Sequence, residues 1–185
     1  EALTKSERVI DFLTGAKGFS VDLDNKVRAQ VLLTKGRAFL SSGQENKAAE
    51  IFTELHITYP RSDESAFSYL VEAYHHASGN RLDEAQRNLL RLADGFKKSR
   101  YAPRALYEAA LHLERRGMDE NLKEGVDLLE RLIQDYPDNE LVFYARLRQA
   151  NLLRRRNEFG SALELCDQLL GNKLYRGPPE KKSAF

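Results

Sequence analysis

A small residue returns at nearly constant intervals along this sequence, always among larger apolar residues. Four segments align on it, and the successive copies lie 37, 37 and 40 residues apart, at Gly36, Ala73, Ala110 and Ala150. Three residues after the small residue come Phe39, His76, Leu113 and Leu153. Positions three, four and seven residues apart share one face of an α-helix. The pattern therefore predicts a helix in each segment, with its small residue where another helix passes closely.

A second small residue follows in each segment and marks a second helix. It stands at Ala48, Ala85, Gly125 and Ala162. Larger residues follow it after four positions (Phe52, Leu89, Leu129 and Cys166) and after seven (Leu55, Leu92, Leu132 and Leu169). The unit is thus predicted to be a helix–turn–helix repeat. In its best-preserved copy, between Gly36 and Pro60, we expect the first helix to end near Gly43 and the second to run from Lys47 to Thr58.

This repeat resembles that of the tetratricopeptide repeat (TPR) family, whose helix–turn–helix unit of about 34 residues carries small residues at its helix crossings. The resemblance covers residues 25–174. It implies an all-α fold, a right-handed α-solenoid of about four repeats with additional terminal helices. The predicted repeats span residues 25–61, 62–98, 99–137 and 138–174. Residues 1–24 are predicted to form a capping helix or the remnant of an upstream repeat, and residues 175–185 the start of a truncated fifth repeat or a tail.

Two departures from the common repeat are informative. From each second small residue to the next first one there are 25 residues, which is about three more than in the usual unit. Two of the second helices also end at Tyr59-Pro60 and Tyr136-Pro137. This longer unit resembles the repeats of bacterial envelope proteins, such as outer-membrane assembly lipoproteins and Tol–Pal-associated periplasmic proteins. It favours the cell envelope over the cytoplasm and leaves the compartment open. Separately, the third repeat gains residues near 118–121, in the predicted turn between its helices.

The composition limits the classes of protein to consider. Hydrophobic residues make up 42% of the chain, charged residues 31%, and the net charge is +1. This balance is typical of a folded, soluble chain, and it provides no general field that would attract nucleic acid or an anionic membrane. The apolar runs are far too short to span a bilayer. The single cysteine, Cys166, excludes an internal disulfide and occupies a position predicted to be buried.

No cluster of residues predicts catalysis or a bound metal. His75 and His112 hold equivalent places in consecutive repeats, but zinc normally takes three or four ligands. His76 stands at a core position and is predicted to pack inside. The sequence contains no Gly-rich phosphate loop, HExxH motif or nucleophile elbow. We therefore expect a non-enzymatic protein with no cofactor, no metal and no small-molecule substrate.

Three helix starts have local causes in the sequence. Ser62 is predicted to cap the first helix of the second repeat, because its side chain can accept a hydrogen bond from a free amide. Asp138 is predicted to do the same for the fourth repeat. Pro103 lies so early in its helix that it needs no amide partner.

The resemblance also implies a binding surface, because in TPR arrays the first helices line a concave groove. The groove-facing positions are counted from the first small residue, six and three residues back and one, four and five forward. The residues that carry binding chemistry at these positions are Arg37, Phe67, Tyr74, Arg104, Tyr107, Arg115, Tyr144, Asn151, Arg154 and Arg155. The N-terminal half of this groove is predicted to be apolar and aromatic, and the C-terminal half basic with tyrosines.

A cluster of arginines marks the first helix of the fourth repeat, where Arg146, Arg148, Arg154, Arg155 and Arg156 crowd together. One interpretation is a binding surface for acidic groups, since arginine pairs with carboxylates through two hydrogen bonds. The other is a solvated helix end, because cations suit the last turn of a helix.

These observations leave three functions open. The first is a protein-interaction scaffold that binds a peptide or partner helix with acidic groups and a hydrophobic anchor. The second is an architectural segment of a larger TPR array in a cell-envelope or other assembly, with exposed apolar surface at residues 1–14 and 175–185 and possible self-association. The third is nucleic-acid binding through the arginine-rich fourth repeat, which lacks a continuous basic stripe.

Overall fold

The computed structural model describes residues 25–171, which form eight α-helices joined by short turns. They are α1 (Asn25–Ser41), α2 (Glu45–Thr58), α3 (Asp63–Ser78), α4 (Leu82–Gly95), α5 (Ala102–Arg116), α6 (Asp119–Asp135), α7 (Leu141–Arg155) and α8 (Phe159–Leu170). The predictions for residues 1–24 and 175–185 lie outside the described residues. The chain divides into two compact units, Glu1–Asn88 and Leu89–Phe185, with the boundary inside α4.

The described part of the first unit is built on the pair α1 and α2, against which α3 packs. Its core contains Ala29, Leu33, Phe39, Ala48, Phe52 and Leu55, all almost fully buried. The small residues predicted to mark helix crossings lie in this core or beside it. Gly36 is buried, and a Cβ atom built on it would lie only 2.3 Å from Cε1 of Phe52. Only a residue without a side chain lets the Phe52 ring pass so close to the backbone of α1.

The second unit repeats this arrangement with different residues. Here α6 packs against both α5 and α7, α8 packs against α7, and the first helices α5 and α7 also touch. Its largest fully buried side chains include Leu106, Leu113, Leu129, Leu132 and Leu152. A Cβ atom on Gly125 would lie 3.1 Å from Cδ1 of Leu152. A small residue is therefore again found where a neighbouring helix approaches most closely.

The turns within the repeats share one backbone conformation that the spacing of small residues alone did not predict. Gly43, Asn80, Gly117 and Asn157 have φ angles of 75°, 59°, 74° and 63°. They follow one another after 37, 37 and 40 residues, the same intervals as the small residues of the first helices. Glycine and asparagine are the residues that adopt this left-handed conformation most readily. The repeat therefore includes the turn as well as the helix contacts.

The extra residues of the third repeat lengthen a helix and leave the turn short. α6 has 17 residues, against 14 in α2 and in α4. α5 ends at Arg116 and α6 begins at Asp119, so that only Gly117 and Met118 separate them. The prediction of a longer turn near 118–121 is wrong. The acidic residues Asp119 and Glu120 extend the N-terminal turn of α6, where negative charge is stabilising.

Two of the three predicted helix starts are confirmed by the structure. The Ser62 side chain accepts a hydrogen bond from the amide of Ser65 at 3.0 Å, so the predicted cap of α3 is confirmed. Pro103 lies within the first two positions of α5, also as predicted. At the start of α7, the amide of Leu141 donates to Oδ1 of Asn139 at 3.0 Å. Asn139 thus provides a side-chain acceptor at this helix start, and the cap by Asp138 stays a prediction.

The tyrosines of the Tyr-Pro pairs lie immediately after the second helices. Tyr59 follows α2 and packs against the core of the first unit. Tyr136 follows α6, and its hydroxyl group donates to the carbonyl oxygen of Lys97 at 2.8 Å. Burial raises the pKa of the Tyr136 phenol. In the second unit, the tyrosine thus ties the end of α6 to the chain that follows α4.

Two residues at predicted core positions are less buried than expected. His76 and Cys166 are both half-buried. Cys166 lies on α8, whose outward face carries the exposed residues Phe159, Leu163 and Leu170. The expectation of a fully buried cysteine is therefore wrong, because the corresponding positions of α6 lie under α7 whereas this face of α8 remains accessible.

We expect Gly36→Ala to destabilise the protein by about 1–3 kcal/mol, because the new methyl group would displace the buried Phe52 ring. Gly160→Ala is the matched control, since Gly160 is also helical and has no atom within 4 Å of an added Cβ. That control should be neutral or stabilising by up to about 1 kcal/mol, through the better helix propensity of alanine. Urea unfolding of the two variants measures the difference, and equal stabilities would contradict the close contact between α1 and α2.

Candidate functional site

Between the first helices of the second unit, α5 and α7, lies an open cavity of about 480 Å³. It is lined by three arginines, one glutamate and one leucine: Leu111, Glu114, Arg115, Arg148 and Arg155. We call it the arginine cavity. Its volume lies within the range of roughly 300–1,000 Å³ that is common for ligand sites. The residues come from the last two turns of α5 and from α7, so the site depends on the contact between these helices.

Glu114 holds two of the arginines in the cavity. Its carboxylate lies 3.3 Å from Nη1 of Arg148 and 3.5 Å from Nη1 of Arg155. Arg155 also donates through Nη1 to the main-chain carbonyl oxygen of Glu114 at 3.0 Å. The glutamate side chain is 16% exposed, whereas those of Arg148 and Arg155 are 37% and 35% exposed. The guanidinium groups are therefore positioned by a less accessible carboxylate and remain accessible themselves.

Arg115 is the third arginine of the cavity. It is exposed and makes no ion pair with another described residue. Three guanidinium groups and one carboxylate leave the lining with an excess of two positive charges. The cavity is thus suited to a ligand that carries negative charge.

An ion pair near the cavity connects the third repeat, which has the longer second helix, with the arginine-rich fourth repeat. Nε of Arg156, at the end of α7, lies 3.1 Å from Oδ1 of Asp119 in the first turn of α6. Nη1 of Arg156 also lies 2.7 Å from Glu158. Asp119 belongs to the additional turn that lengthens α6, so this turn supplies a carboxylate for the arginine-rich helix. Arg156 therefore supports the structure, and it is not among the residues that line the cavity.

The structure brings together some of the site residues predicted in the second unit. Arg115 and Arg155 line the arginine cavity, while Arg154 is exposed and lies outside its lining. Arg104 pairs with Glu108 one turn away, with Nη2 3.0 Å from Oε1. The remaining predicted residues of this unit are half-buried on the same two helices: Tyr107, Tyr144 and Asn151.

The first unit also contains three predicted site residues, on α1 and α3. The guanidinium carbon of Arg37 lies 5.9 Å from the centre of the Phe67 ring, within the range of a cation–π contact. Tyr74 is 40% exposed, which is high for an aromatic side chain. Two of the three predicted residues are therefore in contact, and all three are accessible to some degree.

The comparisons with known proteins concern the fold alone. No protein-family model matches the chain, and no curated protein matches it. A crystal structure of a Podosopora anserina protein, described as a kinesin light chain with nearly identical TPR-like repeats, superposes with a TM-score of 0.60 at 16% identity, covering 95% of this chain and 88% of that one. A variant of the same protein gives a TM-score of 0.58 at 16% identity, with 92% and 84% covered. The chain has a TPR-like helical-repeat fold.

This likeness confirms the predicted fold class, an all-α helical-repeat solenoid. The position two residues before the first small residue is not among the groove-facing positions predicted from the sequence. Arg148 occupies that position and nevertheless lines the cavity. Counting positions around a helix predicts the direction of each Cβ atom. The charged end of a long arginine side chain lies far from its Cβ atom and is not predicted by this count. The pairing of Arg148 with Glu114, on consecutive first helices, is visible only in the structure.

His75 makes a contact within the protein, and His76 and His112 are affected by burial. Nε2 of His75 lies 2.9 Å from Oε1 of Glu45. Arg81 donates to the same carboxylate, from Nη1 to Oε2 at 2.8 Å and from Nη2 to Oε1 at 3.0 Å. The hydrogen bonds from Arg81 and His75 lower the pKa of the Glu45 carboxyl group to about 2. Burial lowers the pKa values of His76 and His112, and the nearby cations Arg81 and Arg115 add to the effect.

Two further properties concern residues 25–171. No group of three or more His, Cys, Asp or Glu side chains in this range is arranged to hold a metal ion. No helix in the same range is both long enough and apolar enough to cross a membrane.

We predict that Glu45 makes the protein sensitive to acid. Because its pKa is about 2 in the folded protein, against an ordinary value of 4.5 for a glutamate, its stabilising effect is complete above pH 4.5 and is lost as the pH falls towards 2. Glu45→Gln should lower the Tm at pH 7 and reduce the further loss of Tm between pH 4.5 and 2. Glu54→Gln, at an exposed site on the same helix, should follow the unchanged protein. An unchanged acid profile for Glu45→Gln would contradict this role.

Proposed function

We propose that this chain is a non-enzymatic protein-interaction module that binds an acidic peptide segment through the accessible face of its first helices. The observation that supports the proposal is the arginine cavity between α5 and α7, with its excess of positive charge. An arginine held in place loses little freedom when a partner carboxylate arrives, so more of the interaction energy remains as affinity. Glu114 provides this restraint for Arg148 and Arg155.

The same two helices provide apolar and aromatic side chains that the hydrophobic part of the proposed ligand can contact. Leu111 lines the cavity itself, and Tyr107 and Tyr144 are half-buried on α5 and α7. Tyrosine is suited to interfaces because its ring supplies a large contact area while its hydroxyl group stays hydrated. We therefore propose that the acidic group of the ligand enters the cavity while an apolar side chain packs against Leu111 and the tyrosines.

The first unit offers a second accessible surface of the same kind. Arg37 and Phe67 are in contact there, and Tyr74 is exposed. We propose that these residues bind aromatic or apolar parts of a partner, as expected for the N-terminal part of the groove. The assignment to the cell envelope stays a prediction that depends on the repeat length and the Tyr-Pro endings alone.

The most informative variant is Arg115→Glu, because Arg115 lines the cavity without an ion pair to another described residue. Peptides selected from a random display library on the full chain should be enriched in Asp and Glu beside an apolar residue. Arg115→Glu should then weaken their binding by about tenfold or more, since hydrogen bonds to charged groups contribute roughly 1.5–3 kcal/mol each. Fluorescence anisotropy measures the affinities, and the Tm should stay within about 2 °C of the unchanged protein, because surface substitutions typically change stability by at most about 0.5 kcal/mol.

Arg154→Glu is the matched control for this experiment. Arg154 is likewise exposed, makes no ion pair with another described residue and lies outside the cavity lining. It should weaken binding only slightly, through long-range attraction that salt screens. Enrichment of peptides without acidic residues, or equal losses for the two variants, would contradict the proposed site.

A specific observation also favours the second function, an architectural segment of a larger array. Phe159, Leu163 and Leu170 are 55%, 65% and 78% exposed, and they lie on one face of α8 with Cys166. The equivalent face of α6, aligned through Gly125 and Ala162, consists of Leu122, Val126, Leu129 and Ile133 and is largely buried. α7 packs against α6. We propose that a further helical repeat of an assembly covers this face of α8 in the same way as α7 covers α6.

The architectural function predicts self-association of the chain when this face is left open. Leu163→Lys should shift the mass measured by light scattering towards the monomer at high concentration. Ile57→Lys, at an exposed residue of the first unit, should leave the association unchanged. A monomer over a wide range of concentrations for the unchanged protein would count against this function.

A further inference from the structure

We propose that the arginine cavity recognises a doubly charged phosphate group on its partner, so that the interaction is switched on by phosphorylation. This inference rests on the proposed function, since it specifies the chemistry of the acidic group that enters the cavity. It is carried by the composition of the lining, by the internal ion pairs of Glu114 and by the volume of the site.

The charge of the lining distinguishes a phosphate from a carboxylate. Three guanidinium groups face one carboxylate, which leaves two positive charges without a partner within the lining. A ligand carboxylate carries a single charge and would leave one of them uncompensated. A phosphorylated side chain carries about −1.5 to −2 charges at pH 7 and would neutralise the lining almost completely.

The Glu114 carboxylate also favours a phosphate over a carboxylate as the charged group of the ligand. Glu114 already lies 3.3 Å from Arg148 and 3.5 Å from Arg155, distances longer than the roughly 2.7–2.9 Å of a strong charge-assisted hydrogen bond. A ligand carboxylate would compete with Glu114 on equal terms. A phosphate group has three strongly accepting oxygens and the higher charge, so it can bind all three arginines while Glu114 keeps its position.

The type of cation in the lining also favours a phosphate ligand. Every cation in the lining is an arginine, although lysines are available elsewhere in the second unit, such as Lys97, Lys98 and Lys123. The planar guanidinium group presents paired donors that match phosphate oxygens, whereas lysine acts as a single point charge. Clusters of arginines are a recurring means of recognising phosphorylated peptides.

The size of the cavity admits such a group together with its attachment to a peptide. A volume of about 480 Å³ is larger than a phosphate group alone requires, and Leu111 provides an apolar wall for the carbon atoms of the phosphorylated side chain. The carboxylate of Glu114 is less exposed than the guanidinium groups beside it. An entering phosphate therefore meets positive charge before it approaches Glu114.

The test uses the full chain and three labelled peptide pools that differ only at one fixed position, which is serine, glutamate or phosphoserine, with all other positions randomised. Fluorescence anisotropy should show the phosphoserine pool binding about tenfold or more tightly than the glutamate pool, from its additional charge and acceptors. Arg115→Gln and Arg148→Gln should abolish this preference. Arg91→Gln should keep it, because Arg91 is exposed on the second helix α4 and makes no ion pair with another described residue. Arg148→Lys retains the charge and should restore only part of the preference, which separates a loss of recognition from a loss of folding.

The outcomes separate this inference from the function on which it rests. Equal affinity for the glutamate and phosphoserine pools would overturn the phosphate preference and leave an acidic-peptide module. Binding of none of the three pools would overturn both. A labelled single-stranded oligonucleotide that binds more tightly than the phosphoserine pool, with the same loss on Arg115→Gln, would also overturn the inference by assigning the cavity to nucleic-acid phosphates.

Discussion

Two helices can pack at short distance only where one of them carries a small residue at the crossing, and this constraint sets the repeat. At Gly36 the Phe52 ring lies against the helix backbone, where even a methyl group would stand 2.3 Å from it. At Gly125 an added Cβ atom would lie 3.1 Å from Cδ1 of Leu152. These contacts bring α2 close to α1 and α7 close to α6. Since the helices are fixed, every other position on them acquires a defined direction, including the positions that carry charge.

The arginine cavity follows from that geometry. α5 and α7 are consecutive first helices in contact, so the end of one presents Glu114 and Arg115 to Arg148 and Arg155 of the other. The longer α6 adds Asp119, which pairs with Arg156 and holds the arginine-rich end of α7. Arg154, which is exposed in the last turn of α7, fits the alternative interpretation of this cluster, a solvated helix end. Arg148 and Arg155 of the cluster line the cavity together with Arg115 of α5, and their role in binding is a proposal.

Much of the fold could be predicted because small and apolar residues report directly on burial. Ala110, Gly125 and Leu129 lie in the core of the second unit, as their spacing required. The site was harder to predict, since polar residues at a helix surface are placed by side-chain length and by partners from other helices. Arg148 was left out of the counted groove because its charge lies far from its Cβ atom. The extra turn of α6 was misassigned because Asp119 and Glu120 suit either a turn or a helix start.

The most direct test of the proposed binding mode is a crystal structure of the chain bound to an acidic peptide obtained by selection. We predict that the anionic group of the peptide lies in the arginine cavity, within hydrogen-bonding distance of Arg115, Arg148 and Arg155, with an apolar side chain against Leu111. A peptide bound instead to the second helices, or to α5 and α7 with its anionic group outside the cavity, would contradict this binding mode.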